Sequence, residues 1–203
     1  MGLSGPLPPA DGSTQIDAEE ATALLPSHVH TQAELNAWEA MNIAQATEWY
    51  GGGVRRSARL LTLPGLIELH KRMFGATWTW AGQFRTTDKG IGPYLPSDFG
   101  RALTDLVSDT LTQFAASDGS NTSLDNIALR FHHQLVRIHP WQNGNGRHAR
   151  FATDRVLERW GRPPFSWGMR HSDEPQARRA TYLAALRAAD QWDFVQLRAF
   201  VRG

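Results

Sequence analysis

The chain contains no cysteine. That single absence excludes a disulfide-stapled scaffold, a thiolate-held zinc and a cysteine nucleophile. Long hydrophobic runs are also missing: no stretch of about 18 apolar residues is present to span a bilayer as a helix. The first ten residues, rich in Gly and Pro, carry neither the basic region nor the apolar stretch of a secretory leader. Overall charge is nearly absent too, with 21 Lys+Arg against 20 Asp+Glu in 203 residues. What the chain does have is core-forming material: 41% hydrophobic residues, with 8 Trp and 9 Phe, too many for a disordered chain. A soluble, cytoplasmic, single-domain protein with no membrane contact is the expectation.

The near-neutral total conceals an asymmetry. Residues 130–203 hold 13 Arg/Lys and 6 Asp/Glu, a net of +7, whereas residues 1–129 hold 8 and 14, a net of −6. A basic half invites an anionic partner. Equally, the two halves can pack together and cancel, and composition does not choose between these readings.

Hydrophobic spacing organises the chain. Residues 1–30 read as an extended arm. Thr31 with Glu34 three residues later is a capping-box signature, and a helix follows over 31–50. Leu63-Pro64-Gly65 opens a second helix that stops at Gly75. Residues 83–87 and 91–94 flank Asp88-Lys89-Gly90, which predicts a small β-hairpin. Helical spacing resumes over 97–114, 124–138, 147–160, 176–189 and 192–201, with residues 118–123 left as a polar loop. His139 should end the helix before it, because a residue preceding proline is pushed out of the α region. The fold class is therefore all-α, a helical domain over 31–203 with its core from about residue 63 onward and one small hairpin.

One segment carries chemistry: His139-Pro140-Trp141-Gln142-Asn143-Gly144-Asn145-Gly146-Arg147-His148-Ala149-Arg150. Gly144 and Gly146 permit unusual backbone angles and close approach by a ligand. The N–H groups there precede the positive end of a helix, a ready site for phosphate. Arg147 and Arg150, three apart, share a face of that helix's first turn. Cations at a helix N-terminus oppose its dipole, so an anion should offset them. Asp154, four residues after Arg150, is the internal candidate. A polyphosphate is the external one, and the guanidinium fork suits it. His139, at the preceding helix end, titrates in a range that suits removal of a proton from a hydroxyl.

The segment resembles the signature of the Fic family, His-x-Phe-x-(Asp/Glu)-Gly-Asn-Gly-Arg-x-x-Arg, with Trp141 in place of the Phe. Residues 80–94 resemble that family's flap. Residues 11–43, with Arg137-Ile138-His139-Pro140, resemble the subgroup called mobile mystery protein B. The resemblance implies a compact helical fold and transfer of AMP from ATP, with Mg²⁺, to a hydroxyl side chain of a target protein. It casts His139 as the base. Gly144, Asn145 and Gly146 become the phosphate cradle, and Arg147 and Arg150 the ligands of the β- and γ-phosphates. Arg85, Thr86, Thr87, Ile91 and Gly92 become the flap that holds the target. The family's acidic magnesium ligand is Asn143 here, a neutral amide that would hold the ion weakly.

Many relatives restrain themselves with a helix bearing Ser/Thr-x-x-x-Glu-Gly/Asn, and no segment here fits that pattern. Glu39 lies on a largely apolar face. Its simpler reading is a half-exposed helix charge, and the alternative is a restraint that reaches Arg150. Two further functions stay open: a Doc-type transferase of the γ-phosphate, against which the intact Gly146-Arg147 pair argues, and a nucleotide-sensing module with an antitoxin or DNA-binding partner. No recognised motif supports nucleic-acid binding by the chain itself. His132 and His133 read as core or surface positions rather than a metal pair. Arg178, Arg179 and Tyr182 read as a solvated face or the wall of an adenine pocket, and residues 51–56 as a connection rather than a phosphate loop.

Overall fold

The computed structural model describes residues 22–51, 59–90, 92–169 and 174–203. Among them run seven α-helices: α1 (Gln32–Gly51), α2 (Leu63–Phe74), α3 (Phe99–Ala115), α4 (Asn121–Ile138), α5 (Asn145–Arg159), α6 (Pro175–Ala189) and α7 (Val195–Arg202). Their starts follow local chemistry. The Glu34 carboxylate accepts from the N–H groups of Thr31 and His30 at 2.9 and 2.8 Å, and Thr31 Oγ1 accepts from Glu34 N–H, completing the expected box. Thr62 caps α2, whose first turn holds Pro64. Ser120 caps α4, so the second half of the polar stretch at 118–123 is helix rather than loop.

α4 is the axis of the molecule. Leu124, Ile127, Ala128, Leu129, Phe131, Leu135 and Ile138 are all buried along it, as are His132 and His133. α3 packs on one side of this helix and α5 on another, while α1 packs on α2 and α6 on α7. Asp125, in α4, binds the guanidiniums of both Arg162 and Arg202 at 2.7–3.2 Å. Burial alone would raise its pKa, yet the two arginines hold it below the ordinary carboxylate value. The acidic and basic halves thus meet and neutralise each other at Asp125, and again where Glu39 of α1 meets Arg147 of α5.

The expected hairpin does not form among the described residues. Phe84 makes a lone antiparallel bridge to Trp141, and no strand pairing follows it. The segment is drawn onto the α4–α5 turn instead of onto itself. Arg85 N–H donates to Pro140 O at 2.9 Å, Lys89 Nζ donates to Gln142 O at 2.9 Å, and Gly92 lies against the Arg137 carbonyl. Residues 52–58, which include most of the Gly51–Arg56 connection, lie outside the described residues.

Candidate active site at the α4–α5 turn

His139 caps α4 in the left-handed region, at φ 50° and ψ 52°, just ahead of Pro140. That conformation is uncommon for a residue with a side chain, and it turns the ring out of the helix path. The ring is half-buried. Burial first, then the charges of Arg85 and Lys89, lower its pKa to about 4, with a Val136 backbone contact offsetting part of the effect. At neutral pH the imidazole is therefore uncharged and able to accept a proton.

The turn that follows is locked from within. Asn145 Oδ1 accepts from Trp141 N–H at 3.0 Å while its Nδ2 donates to Trp141 O at 2.9 Å, an amide closing on a backbone amide. Two buried histidines hold the turn from below. His70 of α2 donates from Nε2 to Asn143 O (3.1 Å), accepts from Gly82 N–H at Nδ1 (3.0 Å), and stacks on Trp141 with centroids 4.2 Å apart. His148 of α5 accepts from Trp141 Nε1–H (3.2 Å) and donates to Leu66 O (3.0 Å). Each ring thus has one donating and one accepting nitrogen, the neutral form, and burial lowers both pKa values. Gly144 adopts φ 78°, and a Cβ there would sit 2.5 Å from the Phe74 ring. Both its conformation and its space demand glycine.

Above this floor, α5 begins with free donors. Among the described residues the N–H groups of Asn145, Gly146 and Arg147 have no carbonyl partner, and the first α5 bond of this kind is His148 N–H to Gly144 O. Gly146 keeps the approach open, since a Cβ there would meet nothing nearer than Arg150 Nη1 at 4.0 Å. Arg147 lies over the Phe74 ring, 5.0 Å from its centroid. Arg150, partly buried, has no carboxylate ion pair among the described residues; its guanidinium carbon lies 5.6 Å from the centroid of the Tyr182 ring. Asp154 does not serve it. That carboxylate accepts from Phe165 N–H at 3.1 Å and Trp167 Nε1–H at 2.8 Å.

Glu39 departs from its simpler reading. Its side chain is 3% exposed, in the middle of the α1 face formed by Leu35, Asn42, Ala46 and Tyr50. Trp78 Nε1–H donates to Oε1 at 2.8 Å and Arg147 Nη1 binds Oε2. The carboxylate that α1 delivers to this site therefore engages Arg147, not Arg150. Its burial among apolar residues is what brings it there: the α1 stripe packs on α2, and the charge must find a cation.

Arg85 also differs from expectation. It is buried, with Nε donating to His139 O at 2.8 Å and Nη1 to Thr87 O, so it ties the flap segment to the turn instead of facing a target. Thr86, Thr87 and Gly92 are exposed, and Ile91 lies outside the described residues. Asn143 Oδ1, the one side-chain oxygen expected to meet Mg²⁺, accepts from Gly144 N–H at 2.7 Å and keeps one lone pair. Among the described residues, no group of three or more His, Asp or Glu could hold a metal ion. The donor set does not fit a protein-held magnesium. Asn145 presents its backbone N–H at the start of α5, while its side chain bonds the Trp141 backbone within the turn.

His70, His148 and Trp78 are the residues that sequence reasoning missed. Their only signal was indirect, a histidine or tryptophan on an otherwise apolar face. His132 and His133 prove to be core: His132 meets the Tyr182 hydroxyl at 2.9 Å and His133 meets Asp190 at 2.8 Å. Tyr182 is buried rather than solvated. Of the eight tryptophans only Trp192 is exposed, at 74%; the others are buried or half-buried against the core.

Comparison with known proteins gives this geometry a context. Residues 60–157 match the Fic/DOC family. Protein adenylyltransferase fic-1 of Caenorhabditis elegans is 34% identical over 148 residues, 70% of this chain and 26% of the relative, so the chain spans about a quarter of that protein's length. The solved structure of Fic-1 (aa134–508) from C. elegans superposes with a TM-score of 0.62 at 25% identity, covering 86% of this chain and 49% of that one. BepC from Bartonella tribocorum, solved with bound AMPPNP, shares the fold, with a TM-score of 0.55 at 16% identity over 78% of this chain and 85% of that one.

Proposed function

We propose, from the match of residues 60–157 to the Fic/DOC family, that the chain is a protein adenylyltransferase that moves AMP from ATP to a Ser, Thr or Tyr hydroxyl of a target protein. One observation carries the reading: a neutral imidazole, His139, stands at a locked turn that opens onto three N–H groups, unpaired among the described residues, and two guanidiniums. In this reading the N–H groups of Asn145, Gly146 and Arg147 bind the α- and β-phosphates, and Arg147 and Arg150 bind the β- and γ-phosphates. His139 takes the proton of the target hydroxyl, whose oxygen attacks the α-phosphorus. Pyrophosphate leaves while the fixed donors stabilise the developing charge. Any magnesium enters with the nucleotide as part of the substrate, and no step here runs through it. AMPPNP in BepC and the adenylyltransferase activity in the name of C. elegans fic-1 support ATP as the donor and a protein as acceptor.

Glu39 restrains this site in the same reading, because the carboxylate on Arg147 occupies the position a phosphate needs. The sequence likeness of residues 11–43 supports the mobile mystery protein B subgroup and, with it, an antitoxin or DNA-binding partner. Thr86, Thr87 and Gly92 offer the exposed edge for a target segment.

Label on the α- or the γ-phosphate of ATP tests the reading, with target lysate and the His139→Ala variant alongside. Protein labelled from the α position alone, and lost in the variant, is the expected result. Label from the γ position would indicate kinase chemistry instead. ATP binding with no transfer would leave a sensing module.

A further inference from the structure

Arg150 shares with Arg85 the lack of a carboxylate ion pair among the described residues, but Arg85 spends its guanidinium on the carbonyls of His139 and Thr87. Arg162 and Arg202 each grip Asp125, and Arg147 grips Glu39, but no carboxylate pairs with Arg150 among the described residues. Its neighbour is Tyr182 from α6, 8% exposed, whose ring centroid lies 5.6 Å from the guanidinium carbon and whose phenol is within side-chain hydrogen-bonding reach of it. The proton of that phenol has a defined place. Thr153 Oγ1 donates to Ala149 O at 2.7 Å, so toward His132 it can only accept, and the His132 Nδ1–H points to it at 3.4 Å. The other nitrogen of His132, Nε2, must then accept from the Tyr182 hydroxyl at 2.9 Å. The phenol oxygen is left as an acceptor, and among the described residues the charge of Arg150 acts on it first and that of Arg179 after it.

We propose that Tyr182 is a positioning residue for Arg150. Anchored through His132 and Thr153 to the α4–α5 core, the phenol holds the guanidinium toward the nucleotide's distal phosphates without neutralising it. A carboxylate in that place would compete with phosphate for the guanidinium, as Glu39 does at Arg147. A neutral acceptor orients the group and leaves its full charge for the ligand. The burial that lowers the pKa of Arg150 and raises that of Tyr182 to about 12 keeps the pair in the guanidinium–phenol form throughout the physiological range. The inference deepens the reading given above and rests on it for the identity of the ligand.

Calorimetric affinities for ATP and AMP decide it, measured on the full chain for wild type, Tyr182→Phe, Arg150→Ala and the double variant. Tyr182→Phe should weaken ATP binding by about tenfold, the worth of one hydrogen bond to a charged group. Its AMP affinity should stay unchanged, since AMP lacks the phosphates Arg150 would hold. The double variant should bind ATP no more weakly than Arg150→Ala alone. Equal losses for ATP and AMP would make Tyr182 a wall of the base pocket and overturn the proposal, as would additive losses in the double variant. If Tyr182→Phe does not fold, His132→Met removes the phenol's anchor and should lower the ratio of ATP to AMP affinity in the same direction; an unchanged ratio overturns the proposal. Wild type that binds ATP but transfers no AMP would defeat the adenylyltransferase reading while leaving this comparison decisive. Wild type that binds neither nucleotide defeats both.

Discussion

The two glycines of the Gly144-Asn145-Gly146 turn look alike in sequence and differ in what they are for. Gly144 is required by the protein itself, through a positive φ and the Phe74 ring. Gly146 has open space around it and normal helical geometry, so its lack of a side chain serves whatever approaches from outside. Gly146→Ala should therefore fold with stability unchanged or raised, by up to about 1 kcal/mol, and bind ATP at least tenfold more weakly, a split visible by thermal melting beside calorimetry. Gly144→Ala should be destabilised by about 2 kcal/mol or more. Asn145→Asp should lose the donated bond to Trp141 O and set a carboxylate against a carbonyl, costing about 1–3 kcal/mol in chemical denaturation. At this scale the sequence showed which positions matter but not why. A motif places Asn145 beside a phosphate, whereas its side chain bonds the turn through both its oxygen and its nitrogen. Arg85 likewise reads as a surface group on a flap and is a buried strut.

The helices were legible because each stripe of apolar residues has a partner and three of the starts carry their own side-chain caps, at Thr31, Thr62 and Ser120. The hairpin was not, since alternation over a few residues says nothing about the α4–α5 turn that captures the segment through Arg85 and Lys89. Glu39 shows the same limit. Its spacing along α1 placed it on the apolar face, but the burial and the choice of Arg147 depend on how α1 lies against α2 and α5. From that contact follows a prediction. Glu39→Gly should raise turnover of ATP about tenfold or more if the carboxylate blocks a phosphate position. Glu39→Gln should do so with less loss of stability, because its amide oxygen can still accept from Trp78 Nε1–H. Unchanged turnover in either variant, folded by circular dichroism, would count against a restraining role for α1.

Across the whole molecule, burial of uncharged histidine sets the response to acid. His70, His132, His133, His139 and His148 all have pKa values lowered chiefly by burial, His132 to about 3 and His139 and His148 to about 4. The unfolded chain protonates them from about pH 6.5 downward, so their contribution is complete above that pH and drains away toward pH 4, at up to about 1.4 kcal/mol per group per pH unit. Asp154 acts in the opposite sense. Its pKa is raised to about 6 by burial, so its contribution is present below about pH 4 and lost as pH rises through 6. Five groups outweigh one. Urea midpoints should fall steeply between pH 6.5 and 4, and Asp154→Asn should steepen that fall by removing the opposing term.

The central claim is that the start of α5 clasps a triphosphate beside His139. Amide NMR of the Glu39→Gly chain during an ATP titration tests it most directly. The account predicts that the N–H signals of Asn145, Gly146 and Arg147 move together and saturate with one affinity, with the His139 ring signals responding at the same concentrations. Binding of ATP that leaves those three amides unmoved would contradict it.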